Sequence, residues 1–402
     1  MPAAPRYSLA LANLRALVIL IVLAFHSMLA YVSWNTTPAA GFDSPPYRWN
    51  AFPIIDSQRW FGFDLFCAWQ DVYLMALMFL LSGLFVGPSL TRKKDWGFLR
   101  DRVLRLGLPY GFGVAVLMPL AIYPAYRVTA VDTSVPAYWH ALLALPFWPN
   151  GPLWFLWQLL VLNVIVAVLH WAAPYAIESL GRWSAAAEER IGRYFFVLLA
   201  ASALAYVPLA IMFTPWTWYN SGLISVQLCR PLLYAVYFVV GVGIGAGGIE
   251  RGLVAVDGVV ARHWAIWLAA ALASLMLWMG FTALTLNGEA PVGIEIAADL
   301  GFVLACACGC FFFIAVSLRF ATGQSRILDG LSANAYSLYL VHYDFVVWLQ
   351  YALLGTALFA VVKAAIVFSG TLILSLIAIL AVQRVPFGAR LIGAARRAVA
   401  TS

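Results

Sequence analysis

The stretch that decides the fold is LRALVILIVLAFHSMLAY, residues 14–31. It is apolar except for Arg15 at its start and His26 near its centre, and it approaches the roughly 20 apolar residues that a membrane-spanning helix needs. A basic flank before an apolar run is also the pattern of a signal peptide. This run is long enough to span a bilayer, and no clear small-residue cleavage site follows it. We therefore expect a retained first transmembrane helix.

The composition of the chain is that of a membrane protein. Of its 402 residues, 64% are hydrophobic and 10% are charged, whereas a soluble domain carries about 25% charged residues. Apolar runs of spanning length recur about ten times. The predicted spans are residues 12–34, 72–88, 104–123, 152–173, 194–213, 228–247, 264–286, 296–320, 332–353 and 357–382. The expected fold is all-α, a polytopic integral membrane protein with a single membrane-embedded domain over residues 1–402.

Charge divides between alternate loops. Basic residues concentrate between the second and third spans and in the tail, residues 383–402, whereas the loops 35–71 and 124–151 carry Asp43, Asp56, Asp64 and Asp132. Cytoplasmic loops of membrane proteins collect Lys and Arg. Both termini are therefore predicted to be cytoplasmic, and the two acidic loops extracytoplasmic. The net charge of +7 follows from this topology, so no nucleic-acid partner is expected.

The two predicted outer loops are rich in aromatic residues. Tyr138, Trp139 and Trp148 lie in the second of them. Aromatic side chains of this kind form the interfacial belt of many membrane proteins. Flat aromatic faces also suit sugar rings, so a carbohydrate-facing vestibule is the alternative, and the sequence leaves both open.

Arg15 and His26 share one face of the first helix. Eleven residues at about 100° each return to within roughly 20° of the starting direction, with a rise of about 16 Å. Ionisable groups inside a membrane usually face a bundle interior or a wet cavity. The alternative is an Arg that reaches the headgroups and a His that hydrogen-bonds to another helix. The shared stripe favours a functional channel.

A second histidine is predicted at similar depth. The segment SANAYSLYLVHYDFVVW places His342 in the ninth span, with Tyr339 beside it and Asp344 on a different face. Such groups shuttle protons in enzymes, and they also join helices through hydrogen bonds. At the predicted cytoplasmic mouth, Arg102 and Arg105 are spaced i, i+3 just before the third span, where with Arg15 they would bind phosphate.

Other signatures are absent or have a simpler explanation. No histidine is followed by Asp five residues later, and no GxSxG elbow occurs. Gly243, Gly245 and Gly248 fit GxGxxG, but they end a membrane helix, so close helix packing is expected rather than dinucleotide binding. The five cysteines show no disulfide framework, and no cluster has metal-ligand spacing, so no metal is expected.

Five motifs in order resemble the membrane-bound acyltransferase-3 family. They are Arg15-x10-His26, the segment MFLLSGLFV around Ser82, LRDRVLRLGLP with Arg102-x-x-Arg105, PLWFLWQLL with Trp154, and ANAYSLYLVHYDF. The likeness covers nearly the whole chain. Within the family, the sequence most resembles the branch of the glucan biosynthesis protein C-like succinyltransferases.

This resemblance implies an enzyme of the bacterial inner membrane. A cytoplasmic acyl-CoA would be the acyl donor, and the acceptor would be a hydroxyl of a periplasmic or cell-surface glycan. Arg15, Arg102 and Arg105 would hold the CoA phosphates. His26 would be the general base, with Tyr339 or His342 stabilising the oxyanion or relaying the proton.

Further acceptor or acyl contacts are expected at Arg230, Trp154 and Asp344, although Arg230 also suits a helix end that reaches the headgroups. A covalent acyl-histidine intermediate stays open. The alternative function from another class is a proton-coupled transporter or flippase that uses the same polar groups, and a third is a sensory or scaffold protein.

Overall fold

A computed structural model describes residues 6–35, 41–250, 252–286, 290–385 and 387–392. Each predicted span has a helix, which confirms the all-α class. In chain order the main helices are α1 (Arg6–Met28), α2 (Phe61–Gly83), α3 (Val86–Thr129), α4 (Val135–Leu143), α5 (Trp154–Ala172), α6 (Pro174–Ala185), α7 (Ile191–Phe213), α8 (Pro231–Gly247), α9 (Trp264–Thr285), α10 (Val292–Phe320), α11 (Arg326–Leu353) and α12 (Ala360–Val382). Shorter helical turns are Leu29–Tyr31, Arg48–Asn50, Gly151–Leu153, Ala186–Glu188, Gly252–Val254, Val259–Arg262 and Gly388–Leu391.

Within these described ranges, eight helices are long and apolar enough to cross a membrane. Helix α8 is apolar but has only 17 residues. Helix α11 has 28 residues but is not among the eight, because polar side chains interrupt its apolar run. Two of the ten predicted spans therefore correspond to helices that fall short of a typical spanning helix, α8 in length and α11 in apolar composition. Of the predicted tail, residues 393–402 lie outside the described part of the chain.

Helix α2 begins earlier than predicted. It starts at Phe61, so residues 61–71, which we expected in the first outer loop, form its first turns. The error arose because Asp64, Gln70 and Asp71 interrupt the apolar pattern of this segment. The Asp64 carboxylate accepts hydrogen bonds from the backbone N–H groups of Ser33 and Trp34, at 2.9–3.1 Å, so the outer ends of α1 and α2 lie side by side.

Helix α3 also differs from its prediction. It runs from Val86 to Thr129 with a kink at Lys94, where φ is 58°, and with two π-helical segments, Val103–Gly107 and Gly113–Leu117. Arg102 and Arg105 were expected at the entry of a span that starts at residue 104. They instead lie within the continuous helix, because an amphipathic helical segment precedes the apolar run. π-helical turns often mark functional sites.

Glycines allow α2 and α8 to pack at backbone distance. A Cβ at Gly241 would lie 2.1 Å from the Leu80 carbonyl oxygen, and one at Gly245 would lie 2.0 Å from the Leu84 oxygen. Gly243 faces α6, where a Cβ would lie 2.6 Å from Ser184 Oγ. The packing explanation of the GxGxxG match is thus confirmed for Gly243 and Gly245. Gly248 differs: its φ of 101° ends the helix, and a Cβ there would meet open space.

A β-hairpin that the sequence did not predict lies between α7 and α8. Its strands are β1 (Trp218–Ser221) and β2 (Ile224–Gln227), and its turn contacts the second outer loop, where Trp148 donates its backbone N–H to the Gly222 oxygen at 2.7 Å. The two outer loops also pack together in one aromatic cluster, in which Phe42 stacks on Trp49. These loops therefore form an ordered cover over one end of the bundle.

Candidate active site

The structure brings His26 and His342 into contact in the centre of the bundle. Helix α1 packs against α2, α10, α11 and α12, which places both histidines among other helices. His342 Nε2 lies 3.3 Å from His26 Nδ1, and the two ring centroids are 5.0 Å apart. His342 is fully buried, whereas His26 is partly exposed.

Backbone carbonyls determine which ring nitrogens carry a proton. His342 Nδ1 is 2.7 Å from the Tyr339 oxygen, and His26 Nδ1 is 2.9 Å from the Val22 oxygen. A carbonyl only accepts hydrogen bonds, so both Nδ1 atoms are donors. In the neutral pair, His342 Nε2 accepts from His26 Nδ1–H. His26 Nε2 is then an unprotonated nitrogen, and it has no hydrogen-bond partner among the described residues.

The helical turn Gly151–Leu153, immediately before α5, closes the site on one side. The Tyr339 hydroxyl donates a hydrogen bond to the Pro152 oxygen, and the Gly151 backbone lies against the ring of Tyr343. The Tyr343 ring is 5.4 Å from that of His26. Gln350 donates to the His26 carbonyl oxygen at 2.9 Å. Helices α1, α5 and α11 therefore position the histidine pair together.

A cationic cavity lies near the other end of the Arg15–His26 stripe. Its volume is about 240 Å³. It is lined by Phe85, Pro88, Ser89, Arg92, Lys93, Asp101, Arg102 and Arg105. Four cations and one carboxylate leave an excess of three positive charges. Asp101 bridges two of the cations, Lys93 at 2.7 Å and Arg105 at 2.9 Å.

Two arginines predicted to bind phosphate keep unused hydrogen-bonding capacity at this cavity. Arg102 stacks over Phe98 at 4.8 Å, and its Nε is buried with no partner among the described residues. Arg15 is exposed, and its guanidinium lies 5.6 Å from the ring of Phe85, which lines the cavity. Arg15, Arg102 and Arg105 thus surround one cationic region. Arg92 and Lys93, which the basic character of a cytoplasmic loop would explain by itself, line the same cavity.

The three predicted acceptor contacts lie in different surroundings. Arg230 is buried and paired with Asp71, so it is not a free cation. Trp154 stacks on Tyr234, with ring centroids 5.6 Å apart. Both carboxylate oxygens of Asp344 are buried without a partner in the described part of the chain. Asp344 is therefore not joined to the histidine pair by a hydrogen bond.

Several site residues were missed from the sequence. Asp71 falls in a predicted loop, and Phe85 has no predicted role beyond its motif. Gln350 and the buried ion pair between Lys363 and Asp56 have no predicted role either. A signal was present for Asp71 and Lys363, because a charge within a membrane helix needs a partner. Among the described residues no group of His, Cys, Asp or Glu could hold a metal ion.

The fold and the site together define a polytopic membrane enzyme with a histidine pair at its centre. The family model of acyltransferase-3, described as an acyltransferase domain, matches residues 9–380. The chain therefore belongs to the acyltransferase-3 family, and it is a membrane-bound acyltransferase. Among curated proteins and solved structures, none matches this chain.

Proposed function

We propose that this enzyme transfers an acetyl or succinyl group from a cytoplasmic acyl-CoA to a hydroxyl of an extracytoplasmic glycan, in the bacterial inner membrane with both chain termini cytoplasmic. The observation that carries the proposal is the Nε2 of His26, which the hydrogen bonds leave unprotonated. His26 shares one face of α1 with Arg15, and Arg15 lies beside the cationic cavity. The Arg15–His26 rise of about 16 Å is comparable in length to the pantetheine arm of CoA. An acyl-CoA bound by its phosphates would present its thioester near His26.

The chemical step uses His26 as a general base. His26 Nε2 takes the proton of the acceptor hydroxyl as its oxygen attacks the thioester carbonyl carbon. The new C–O bond forms, the C–S bond breaks, and the CoA thiolate takes the proton back from the imidazolium. The products are the ester and CoA thiol. His342 orients the His26 ring, because its Nε2 accepts the Nδ1–H of His26.

Tyr339 and Tyr343 have different roles in this proposal, one structural and one catalytic. The Tyr339 hydroxyl donates a hydrogen bond to the Pro152 oxygen, so in this proposal Tyr339 holds the turn before α5 against α11 rather than stabilising an oxyanion. The Tyr343 hydroxyl has no hydrogen-bond partner among the described residues. We assign it to the oxyanion, where a hydrogen-bond donor contributes up to about a thousandfold in rate.

The cavity suits the phosphates of CoA. Guanidinium groups bind phosphate in a bidentate manner, and Arg102 and Arg105 are accompanied by Arg92 and Lys93. Asp101 holds Lys93 and Arg105 in place until an anionic ligand competes for them. This arrangement supports a donor that is both anionic and large enough to reach from the cavity to the histidines.

The test compares acyl transfer by variants of the full-length protein in native membranes. His26→Ala should lower acylation of envelope glycans, measured by mass spectrometry, by about 10²–10⁴-fold, the usual contribution of a general base. His140→Ala removes an exposed histidine of α4 and should leave acylation unchanged. Full acylation by His26→Ala would refute the mechanism. Absence of any binding of acetyl-CoA or succinyl-CoA to purified wild-type protein would refute the donor.

A further inference from the structure

A buried ion pair lies inside the bundle where the sequence suggested a free arginine. Arg230 Nη1 and Nη2 bind the two carboxylate oxygens of Asp71 at 2.8 Å and 2.5 Å. The guanidinium also stacks over Phe302, 5.0 Å from its ring centroid. Its partner Tyr234 lies 3.5 Å from Nη1. Arg230 is therefore buried, in contact with Asp71, Tyr234 and Phe302.

The two members of the pair differ in exposure. The Arg230 side chain is 5% exposed, whereas the Asp71 side chain is 40% exposed. Burial hides the cation, and the accessible charge is the carboxylate. A bidentate arginine fixes the direction of a carboxylate, while the remaining lone pairs of the carboxylate can still accept hydrogen bonds. The accessible group is thus an oriented hydrogen-bond acceptor, and it would repel anions.

Asp71 and His26 lie on the same side of a contact between α1 and α2. The two helices are antiparallel, and the Ser33 N–H bonds to Asp64 near one end of the pair. His26 is seven residues before Ser33, and Asp71 is seven residues after Asp64. Asp71 therefore lies about 10 Å from this contact along α2, and His26 lies in the same direction from it on α1. On α2, partly exposed residues continue from Asp71 at helical spacing through Met75, Met78 and Ser82 toward Phe85 at the cationic cavity.

Aromatic side chains lead from the outer loops to this carboxylate. Trp34 is 6.5 Å from Trp216, and Trp218 of the hairpin is 6.5 Å from Trp154, measured between ring centroids. Trp154 in turn stacks on Tyr234, which contacts Arg230. Trp154 is only three residues beyond Gly151, whose backbone lies against Tyr343 beside His26. The turn Gly151–Leu153 and Trp154 therefore connect these aromatic side chains to the histidine pair.

We propose that Asp71, oriented by Arg230 and connected to the hairpin through Tyr234, Trp154 and Trp218, is the acceptor subsite, and that it selects an uncharged, polyhydroxylated ring. The tryptophans would stack on the ring, and the Asp71 carboxylate would accept hydrogen bonds from ring hydroxyls next to the one that is acylated. Because the accessible charge is negative, the subsite would reject acceptors that carry carboxylates. This inference rests on the proposed function, and it reverses the expectation that Arg230 receives an acidic group.

The test uses purified full-length protein with acetyl-CoA or succinyl-CoA and two matched pairs of acceptors. Cellotriose is compared with β-1,4-triglucuronate, and α-1,4-galactotriose with α-1,4-trigalacturonate. Each pair differs at C6, where a carboxylate replaces the CH2OH group, and the neutral methyl ester of each uronate controls for the lost hydroxyl. Wild-type protein should acylate at least one neutral trisaccharide with a kcat/KM at least tenfold above that of its uronate. Equal or better use of a uronate would overturn the inference. So would hydrolysis of acyl-CoA without transfer to either neutral trisaccharide.

Variants separate the subsite from the acyl-donor site. Asp71→Asn should raise the acceptor KM about tenfold or more, the factor expected for loss of a charged hydrogen bond, while the KM for acyl-CoA is unchanged. Asp43→Asn changes an exposed loop carboxylate and should change neither constant. An unchanged acceptor KM in Asp71→Asn, or an equal change in both KM values, would contradict the assignment.

A hairpin variant decides the matter if Asp71→Asn does not fold. Trp218→Ala lies on an exposed strand and should also raise the acceptor KM. Tyr219→Ala is the matched control, because successive strand residues point to opposite faces. Equal effects of the two hairpin variants would overturn the role of Trp218. If the wild-type protein neither binds nor hydrolyses acyl-CoA, the proposed function itself is refuted.

Discussion

At the scale of the residue, a fully buried ion pair attaches the first loop to the helix bundle. Lys363 and Asp56 are both fully buried and form an ion pair of 2.7 Å. The backbone N–H of Asp56 also binds the Ala30 oxygen, one turn beyond His26. The first outer loop is thus attached to α1 and α12 immediately next to the histidine pair.

We predict that breaking this ion pair destabilises the protein. Lys363→Met leaves the Asp56 carboxylate buried without its counter-ion, which typically costs about 3–5 kcal/mol. The double variant Lys363→Met with Asp56→Leu should recover most of that loss. Unfolding of the purified protein in detergent by denaturant measures both values. Lys93→Met, which breaks a partly exposed pair, should cost no more than about 1 kcal/mol; an equal loss in both single variants would contradict the prediction.

His342 is predicted to act through His26. His342→Phe removes the acceptor for the His26 Nδ1–H, so kcat should fall about tenfold or more while the KM for acyl-CoA stays unchanged. His342→Gln offers an amide oxygen at the same place and should recover part of kcat. Steady-state kinetics of acyl transfer provides the measurement. If Gln and Phe lower kcat equally, His342 is not a positioning residue.

At the scale of the element, helix packing depends on a few glycines whose neighbours are backbone atoms. Gly83, Gly241 and Gly245 bring α2 and α8 into direct contact. Helix α8 has 17 residues and is surrounded by α2, α6 and α7. Small residues at such interfaces allow backbones to approach closely. Asp71 on α2 and Arg230 at the start of α8 meet because these helices pack so tightly.

A methyl group at this contact should therefore be costly. In Gly241→Ala the new Cβ would lie 2.1 Å from the Leu80 oxygen, so the helices must separate, at a cost of about 1–3 kcal/mol or more. Gly280→Ala provides the control, because a Cβ there meets no atom within 4 Å, and alanine is the better helix former by about 0.5–1 kcal/mol. Thermal unfolding of the two variants would contradict this account if Gly280→Ala were the less stable.

Local sequence predicted the elements better than their partners. The apolar runs identified helices because burial in lipid requires them, and the spacing of Arg15 and His26 identified their common face. The predicted start of α2 was wrong because Asp64 and Asp71 make its first turns too polar to resemble a membrane span. The Asp71–Arg230 pair joins residues 159 positions apart, and nothing in either local pattern specifies such a contact.

At the scale of the whole molecule, the two ends of the bundle have different chemistry. The cover of loops and hairpin is aromatic, whereas the opposite end holds the cationic cavity. This asymmetry and the charge pattern support the proposed topology, in which the aromatic end faces outward. All five cysteines are buried and unpaired, so engineered surface thiols can report which end faces outward.

We predict that a thiol at Val131 reacts from outside the cell and one at Glu178 reacts from inside. Both side chains are exposed, Val131 in the second outer loop and Glu178 on α6. In intact cells a membrane-impermeant maleimide should label Val131→Cys and leave Glu178→Cys unlabelled until the membrane is opened. The unsubstituted protein sets the background. Labelling in the reverse order would invert the proposed topology.

The contact between His26 and His342 also bears on how the protein is made. The two residues are 316 positions apart, and synthesis at about 5–20 residues per second separates their appearance by roughly 16–60 seconds. During this interval α1 is in the membrane and its His26 imidazole has no contact with His342. In the proposed mechanism the nascent enzyme reaches full activity only after nearly all of its chain has been inserted, so an incomplete product would occupy the membrane while consuming few acyl groups.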